Sequence, residues 1–326
     1  MRLRRRQDLN IDARGSCGAI GSLTWQPLGQ NSIDAEPVIA FSTRKDKEVR
    51  LCRITENGKK STIEYSVKLP NSISPKLIKF LSATELLITN NSKSNSRLLI
   101  YDVETEKSRF YSTMGGKEIL KPKFIVNNLD QNLFSIAYDG AHIVTIDKRS
   151  KQFVSEFRLN NASVGLNWSR NGNLLFAGDE RSNIYQFDSR THRCMTRSQL
   201  ETISSMSCFA MNTDQLIACG SPFGTVDIVD VASLASGSPE VVNSFDKLVT
   251  SIDSMQFHPV HRSMLLAASK DKRNALRVYE CGNGRTLPNW PSEKEPIGRA
   301  LDLGFSDCGR FLATGSKSGR VQMYAL

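Results

Sequence analysis

The sequence predicts an all-β ring of seven blades, a β-propeller whose last blade is closed by the N-terminal strand. Three observations predict it: a repeat of about 47 residues, three strand-like segments inside each repeat, and a final repeat that stops before its fourth strand. Periodicity is read before any single element, because repeats of 40 to 50 residues mark propellers and solenoids. The residues that close the first strand of each repeat are Trp25, Phe80, Val126, Trp168, Phe209, Phe257 and Phe305, separated by 55, 46, 42, 41, 48 and 48 positions. That is the spacing of four short strands plus their turns.

Each first strand runs into a polar or proline turn, as in Trp25-Gln26-Pro27, Trp168-Ser169-Arg170 and Phe257-His258-Pro259. A second strand then ends in small or polar residues: LLFAGD at 174–179, LIACGS at 216–221, LLAASK at 265–270 and FLATGS at 311–316. The third alternates apolar and polar positions in every repeat, from EVRLCRI (48–54) to RVQMYAL (320–326). Period-two alternation rich in β-branched and aromatic residues, broken by Gly, Asn, Asp and Ser, is strand chemistry. A weaker outer strand follows in six repeats, and the seventh needs a partner from elsewhere. Residues 1–11 are expected to supply it and so remove an open sheet edge. One propeller therefore occupies 1–326, with blades beginning near 20, 76, 122, 162, 203, 250 and 299. The run Arg2 to Arg6 fits either a charged edge strand or a nuclear-localisation signal.

Composition narrows the classes. A hydrophobic share of 39% with 23% charged residues suits a packed domain and opposes disorder along most of the length. The seven cysteines are scattered, with neither C-x-x-C pairs nor histidines at ligand spacing, so neither a disulfide framework nor a metal site is expected. No apolar region follows the N-terminal arginines, and no run of about 18 apolar residues exists, which opposes a secretory signal and a membrane helix. The expectation is a chain of the cell interior. Its net charge of +10 favours an acidic partner such as nucleic acid.

Catalytic signals are poor. GSCGAIG (15–21) and Gly115-Gly116-Lys117 lack the context of a phosphate loop and read as turns. There is neither a G-x-S-x-G elbow nor an H-E-x-x-H pair, so no catalytic residue, cofactor or small-molecule substrate is expected. An enzyme would need carboxylates and arginines gathered in the central channel.

Tyr101-Asp102, Ile146-Asp147, Phe187-Asp188 and Val229-Asp230 resemble the Trp-Asp dipeptide of WD repeats. The resemblance is to a degenerate member, because no Gly-His dipeptide occurs and four histidines cannot supply the family's buried His-Ser/Thr-Asp-Trp set in most blades. The run from Ser244 to Tyr279, with its Leu248-Val249-Thr250 turn, then Pro288-Asn289-Trp290-Pro291 and the run from Glu293 to Tyr324, is similar to the C-terminal blades of the U3 small nucleolar RNA-associated protein 18 family. Weaker similarity extends back to the first blade.

That resemblance implies a non-enzymatic scaffold of the small-subunit processome, acting in the nucleolus in pre-rRNA processing and 18S rRNA maturation. Implied partners are other WD-repeat subunits of the UTP-B subcomplex, the pre-rRNA leader and U3 small nucleolar RNA. The family also implies a long charged N-terminal extension with a short motif that recruits the exosome's helicase. LFAGDE (175–180) is superficially similar to that motif, but it lies in a strand and lacks an apolar residue before the Asp, which reads as core. The other reading is a WD scaffold of a different complex, for example one that binds a peptide.

Loops joining second and third strands share one face of a propeller, so their charges can be compared. Blade 6 offers Lys270, Lys272 and Arg273 against Asp271; blade 7 offers Lys317 and Arg320. Blade 1 offers Arg44, Lys45, Lys47 and Arg50 against Asp46 and Glu48, and blade 2 offers Lys93 and Arg97. Blades 3 to 5 read as neutral or acidic through Asp139, Asp179, Glu180, Arg181 and SPFG. Ring closure makes blades 6, 7, 1 and 2 neighbours, and a basic arc of this kind would bind phosphates with strong salt dependence, or an acidic segment of a protein. Trp25 and Trp168 read as core, and Trp290, placed on an outer strand, as a protein contact or as packing.

Overall fold

The computed structural model describes residues 4–5, 11–12, 19–27, 36–43, 48–54, 63–69, 75–90, 98–111, 113–114, 117–118, 121–128, 132–212, 215–287, 290–291 and 296–326. Among the described residues seven antiparallel blade sheets succeed one another along the chain, with a separate two-stranded hairpin, Thr113–Met114 and Lys117–Glu118, between the second and the third. Their inner strands are Ile20–Trp25, Pro75–Phe80, Pro122–Asn127, Ser163–Trp168, Cys208–Asn212, Ser254–Phe257 and Ala300–Phe305. In blade 4 the order outward is Ser163–Trp168, Leu174–Asp179, Asn183–Asp188 and Arg193–Gln199, and the other blades repeat it. Second strands are the most deeply buried, as VIAFST and FLATGS illustrate, because each is flanked by strands on both edges and by blades on both faces. Outer strands such as Arg193–Gln199 are largely exposed, with buried positions only toward their ends.

Blade 7 has the order expected from the sequence. Its third strand Arg320–Ala325 receives Arg4–Arg5 in antiparallel register, Arg4 opposite Ala325 and Arg5 opposite Tyr324, and Ile11–Asp12 pairs further along with Val321 and Arg320. The N-terminal segment thus takes the outer position and closes the ring.

The core lies between blades. Trp25, Phe41, Phe311 and Met323 belong to one buried cluster at the junction of blades 7 and 1, and the Trp25 indole donates to the Gly304 carbonyl at 2.8 Å. Phe245 and Tyr279 stack at 4.4 Å across blades 5 and 6. The aspartates at the Trp-Asp positions shape the chain locally. Asp102, Asp147, Asp188 and Asp230 each accept a backbone N–H two residues on, turning the chain toward the outer segment. Backbone donors at Thr105, Ser150 and Arg190 hold the carboxyls of Asp102, Asp147 and Asp188 below the usual range.

Three placements differ from expectation. Register shows that Asn127 and Met211, not Val126 and Phe209, stand opposite second-strand positions equivalent to the partner of Trp168. In blade 5 the linker carries buried Ile203 and Met206, so the strand starts only at Cys208 and Phe209 is its second residue. The described outer strand of blade 6 is Arg285–Thr286, and Trp290 and Pro291, expected on it, stand outside any described strand, while Asn289 lies outside the described residues.

Candidate functional site

Antiparallel strands that alternate direction place the turns between second and third strands on the same face as the linkers between blades. The blade 6 turn joins Met264–Ala268 to Leu276–Glu280 and is pinned at its base, where Ser269 N donates to Ala275 O at 2.8 Å and Thr250 Oγ1 donates to Ser269 Oγ at 2.8 Å. Lys270 bends back to Asp253, 2.5 Å from Nζ to Oδ1, and its backbone N–H donates to the same carboxylate at 3.0 Å. That ion pair cancels one expected rim charge. Asp271, Lys272 and Arg273 are exposed. In blade 7, Lys317 is exposed and Arg320 half-buried at the start of the third strand. Arg44, Lys45, Lys47, Lys93 and Arg97 lie outside the described residues. Arg50, counted with the blade 1 turn, belongs to the third strand Glu48–Arg53 and sits 3.6 Å from Glu48.

The opposite sector differs from its charge count. Asp179 is fully buried and accepts from the backbone of Arg181 and Asn183, the amides of Asn183 and Asn161, and the Tyr185 hydroxyl, all between 2.9 and 3.0 Å. It organises the blade 4 turn from within and does not face solvent. Glu180 lies 3.6 Å from Lys123 of blade 3. The SPFG turn of blade 5, neutral by count, exposes Phe223 at 72%, beside a linker that exposes Val249 at 78%. Gly224 lets the two approach: with φ +94, a Cβ there would stand 2.1 Å from Leu248 O.

Two concavities stand out among the described residues. The central channel, about 540 Å³, is lined by all seven inner strands. Asp253, Asp302 and Asp307 are the carboxylates of its described lining: Asp253 is held by Lys270, and Asp302 accepts from the backbone N–H of Leu23 at 2.8 Å and of Leu303 at 2.9 Å, with burial raising its carboxyl above the usual range. Among the described residues no group of three His, Cys, Asp or Glu side chains could hold a metal, and no helix is long and apolar enough to cross a membrane. The second cavity, about 690 Å³, opens between blades 6 and 7 and is lined by Arg273, Arg299, Lys317 and Arg320 with no acidic residue among the described lining. Sequence reasoning missed Arg299 because it lies in the linker before blade 7, outside the turns whose charges were compared.

Trp290, expected as a protein contact or as packing, is packed within this chain. It is 9% exposed, packs edge-on against Tyr324 at 5.4 Å, and belongs to the cluster that includes Leu303 and Phe305. Trp25 is buried and Trp168 packs against the cluster between blades 3 and 4. LFAGDE is likewise interior through Phe176, Ala177 and Asp179.

No family model matches the chain. In sequence it is 23% identical to the U3 small nucleolar RNA-associated protein 18 homolog of Arabidopsis thaliana over 99% of its length and 61% of the relative's. It is 26% identical to the probable U3 small nucleolar RNA-associated protein 18 of Schizosaccharomyces pombe, over 70% of the chain and 44% of the relative. It is 24% identical to the Mus musculus homolog, over 72% and 45%. The chain thus spans about half the length of the curated relatives it matches. In structure it is similar to a chain of the mitotic checkpoint complex, with a TM-score of 0.74 and 16% identity over all of this chain and 93% of the other, a likeness of fold alone. The fold is a seven-bladed WD-type propeller, and its relatives in plant, yeast, mouse and fly support membership of the U3 small nucleolar RNA-associated protein 18 family.

Proposed function

We propose that this propeller is a non-enzymatic scaffold in ribosome biogenesis: a nucleolar subunit of the small-subunit processome, in the UTP-B subcomplex, acting in pre-rRNA processing and 18S rRNA maturation. The observation that carries the reading is similarity to one U3 small nucleolar RNA-associated family along nearly the entire ring. The loop face supports it with two unlike sectors, a basic one at blades 6 and 7 and an apolar one around Phe223 and Val249. A disc that presents both is suited to lie between RNA and protein. Among the described residues, Arg273 with Lys272 on its turn, and Lys317 and Arg320 of blade 7, are the proposed contacts for the pre-rRNA leader or U3 small nucleolar RNA; Arg44, Lys45, Lys47, Lys93 and Arg97 extend the arc in sequence.

Affinity purification from nuclear extract, followed by sequencing of the co-purifying RNA, tests this. Recovery of U3 small nucleolar RNA with rRNA precursors is expected. A purification without them removes the processome assignment and leaves a WD scaffold of another complex, which the exposed Phe223 and Val249 would then serve as a protein-docking patch.

A further inference from the structure

We infer that the cavity between blades 6 and 7 is a phosphate-reading site for the backbone of single-stranded RNA, with Arg273, Arg299 and Lys317 as its cations. The inference rests on the reading of the chain as an RNA-associated scaffold and names where, and by what chemistry, RNA is held.

The cavity is built from three segments locked to one another before any ligand arrives. Asn274, at φ 57, accepts from Ile297 N at 3.0 Å and Gly298 N at 3.2 Å, and its own N–H donates to Gly298 O at 2.7 Å. This clamp fixes the turn bearing Arg273 against the linker bearing Arg299. Lys317 N donates to Arg299 O at 3.0 Å, which joins that linker to the blade 7 turn. Ser316 Oγ accepts from Arg320 N at 3.2 Å and lies 2.8 Å from Ser318 Oγ, and Gln322 Nε2 donates to Pro296 O at 3.2 Å. The backbone that carries the three cations is thus fixed before binding, and only their exposed side chains remain to be ordered.

Among the described residues Arg273, Arg299 and Lys317 have no carboxylate partner, whereas Lys270 of the same turn has Asp253 and Lys123 has Glu180. A volume of about 690 Å³ falls within the ordinary range for ligand pockets. A concave site of this size suits about one or two nucleotides of an extended strand better than the convex rod of a duplex. No aromatic side chain stands among its described lining, so bases have no stacking platform there and recognition falls on phosphates. Exposed Lys272, outside the mouth, continues the positive track. A track suits a polyanion, while an isolated phosphate group on a peptide would need the cavity alone.

The test is titration of the purified chain with a short single-stranded RNA at several salt concentrations. The double variant Arg299→Glu/Lys317→Glu is compared with Lys107→Glu/Arg149→Glu, an equal charge change at exposed positions elsewhere. The cavity pair should weaken binding about tenfold or more and lower the log–log salt slope by about 0.7 for each phosphate no longer neutralised, with the control pair within about twofold of wild type. Arg299→Gln/Lys317→Gln repeats the measurement if reversal disturbs folding. Binding by both cavity pairs within about twofold of wild type overturns the site. Equal loss in the control pair does the same, as does displacement of the RNA by a phosphoserine peptide at lower concentration than unlabelled RNA. Because this assay uses the isolated chain, its failure leaves the nuclear co-purification result standing, and absence of U3 RNA there with intact cavity binding sinks only the processome assignment.

Discussion

Blades 4 and 7 use the turn after the second strand in opposite ways. Leu174–Asp179 and Phe311–Ser316 have the same length and both end in a buried polar residue. In blade 4 that residue is a carboxylate, and its lone pairs are taken up by backbone and amide donors of the turn, the linker and Tyr185. In blade 7 it is a serine, whose hydroxyl orders the turn without adding charge, so Lys317 beside it meets no counter-ion from the turn. The sign of a rim is therefore set by which acceptor orders each turn, and a count of charged letters misreads it.

The comparison can be broken by substitution, with the largest effect at Asp179. Asp179→Ala leaves several buried donors unmatched and is expected to cost about 3–5 kcal/mol in urea unfolding; a loss below about 1 kcal/mol would show that the network is dispensable. Gly224→Ala comes next, at about 3 kcal/mol, because it combines left-handed backbone with overlap on Leu248 O, and thermal melting would read it. An acid-sensitive effect follows at His258, which is 2% exposed. Its Nε2 donates to Gly309 O at 2.9 Å, while Nδ1 accepts from the backbone N–H of Val260 and His261 at 3.1 and 2.8 Å.

Burial lowers the His258 pKa from 6.5, with the nearby His261 adding to the effect against the Gly309 carbonyl. Folding therefore favours the neutral ring. The stability it confers is complete above pH 6.5, declines below that value, and is lost as the pH falls through the lowered folded-state pKa. A pH series of melting temperatures should show this acid limb flattened in His258→Asn, and an unchanged limb would refute the assignment. The smallest effect is expected at Lys317→Ala, within about 0.5 kcal/mol of wild type in stability yet weaker in RNA binding. A large stability loss there would mean that blade 7 resembles blade 4 after all.

The ring was legible in the sequence because period-two alternation recurs in every blade and Trp-Asp-like ends in several, and both follow from strand geometry and turn chemistry. What escaped was context. Phe209 reads as a strand end because it is aromatic, but Gly165 and Gly178 make room for it near the strand start; a Cβ at either would lie 2.8 or 2.9 Å from it. Trp290 stands in a proline-flanked segment that resembles an edge, and its burial depends on Tyr324 of the next blade, 34 positions on. Arg299 escapes because linkers and turns share a face only after the sheets form. Lys270 counts as free charge until the fold brings Asp253 within reach.

The pairing of Arg4–Arg5 with Tyr324 and Ala325 joins an early segment of this polypeptide to a strand synthesised more than 300 residues later. During translation the early segment has no sheet to enter, so the final blade can be finished only as a late, long-range event. Quality control that senses an open seam would thus distinguish a fully made ring from a nascent one at a single location.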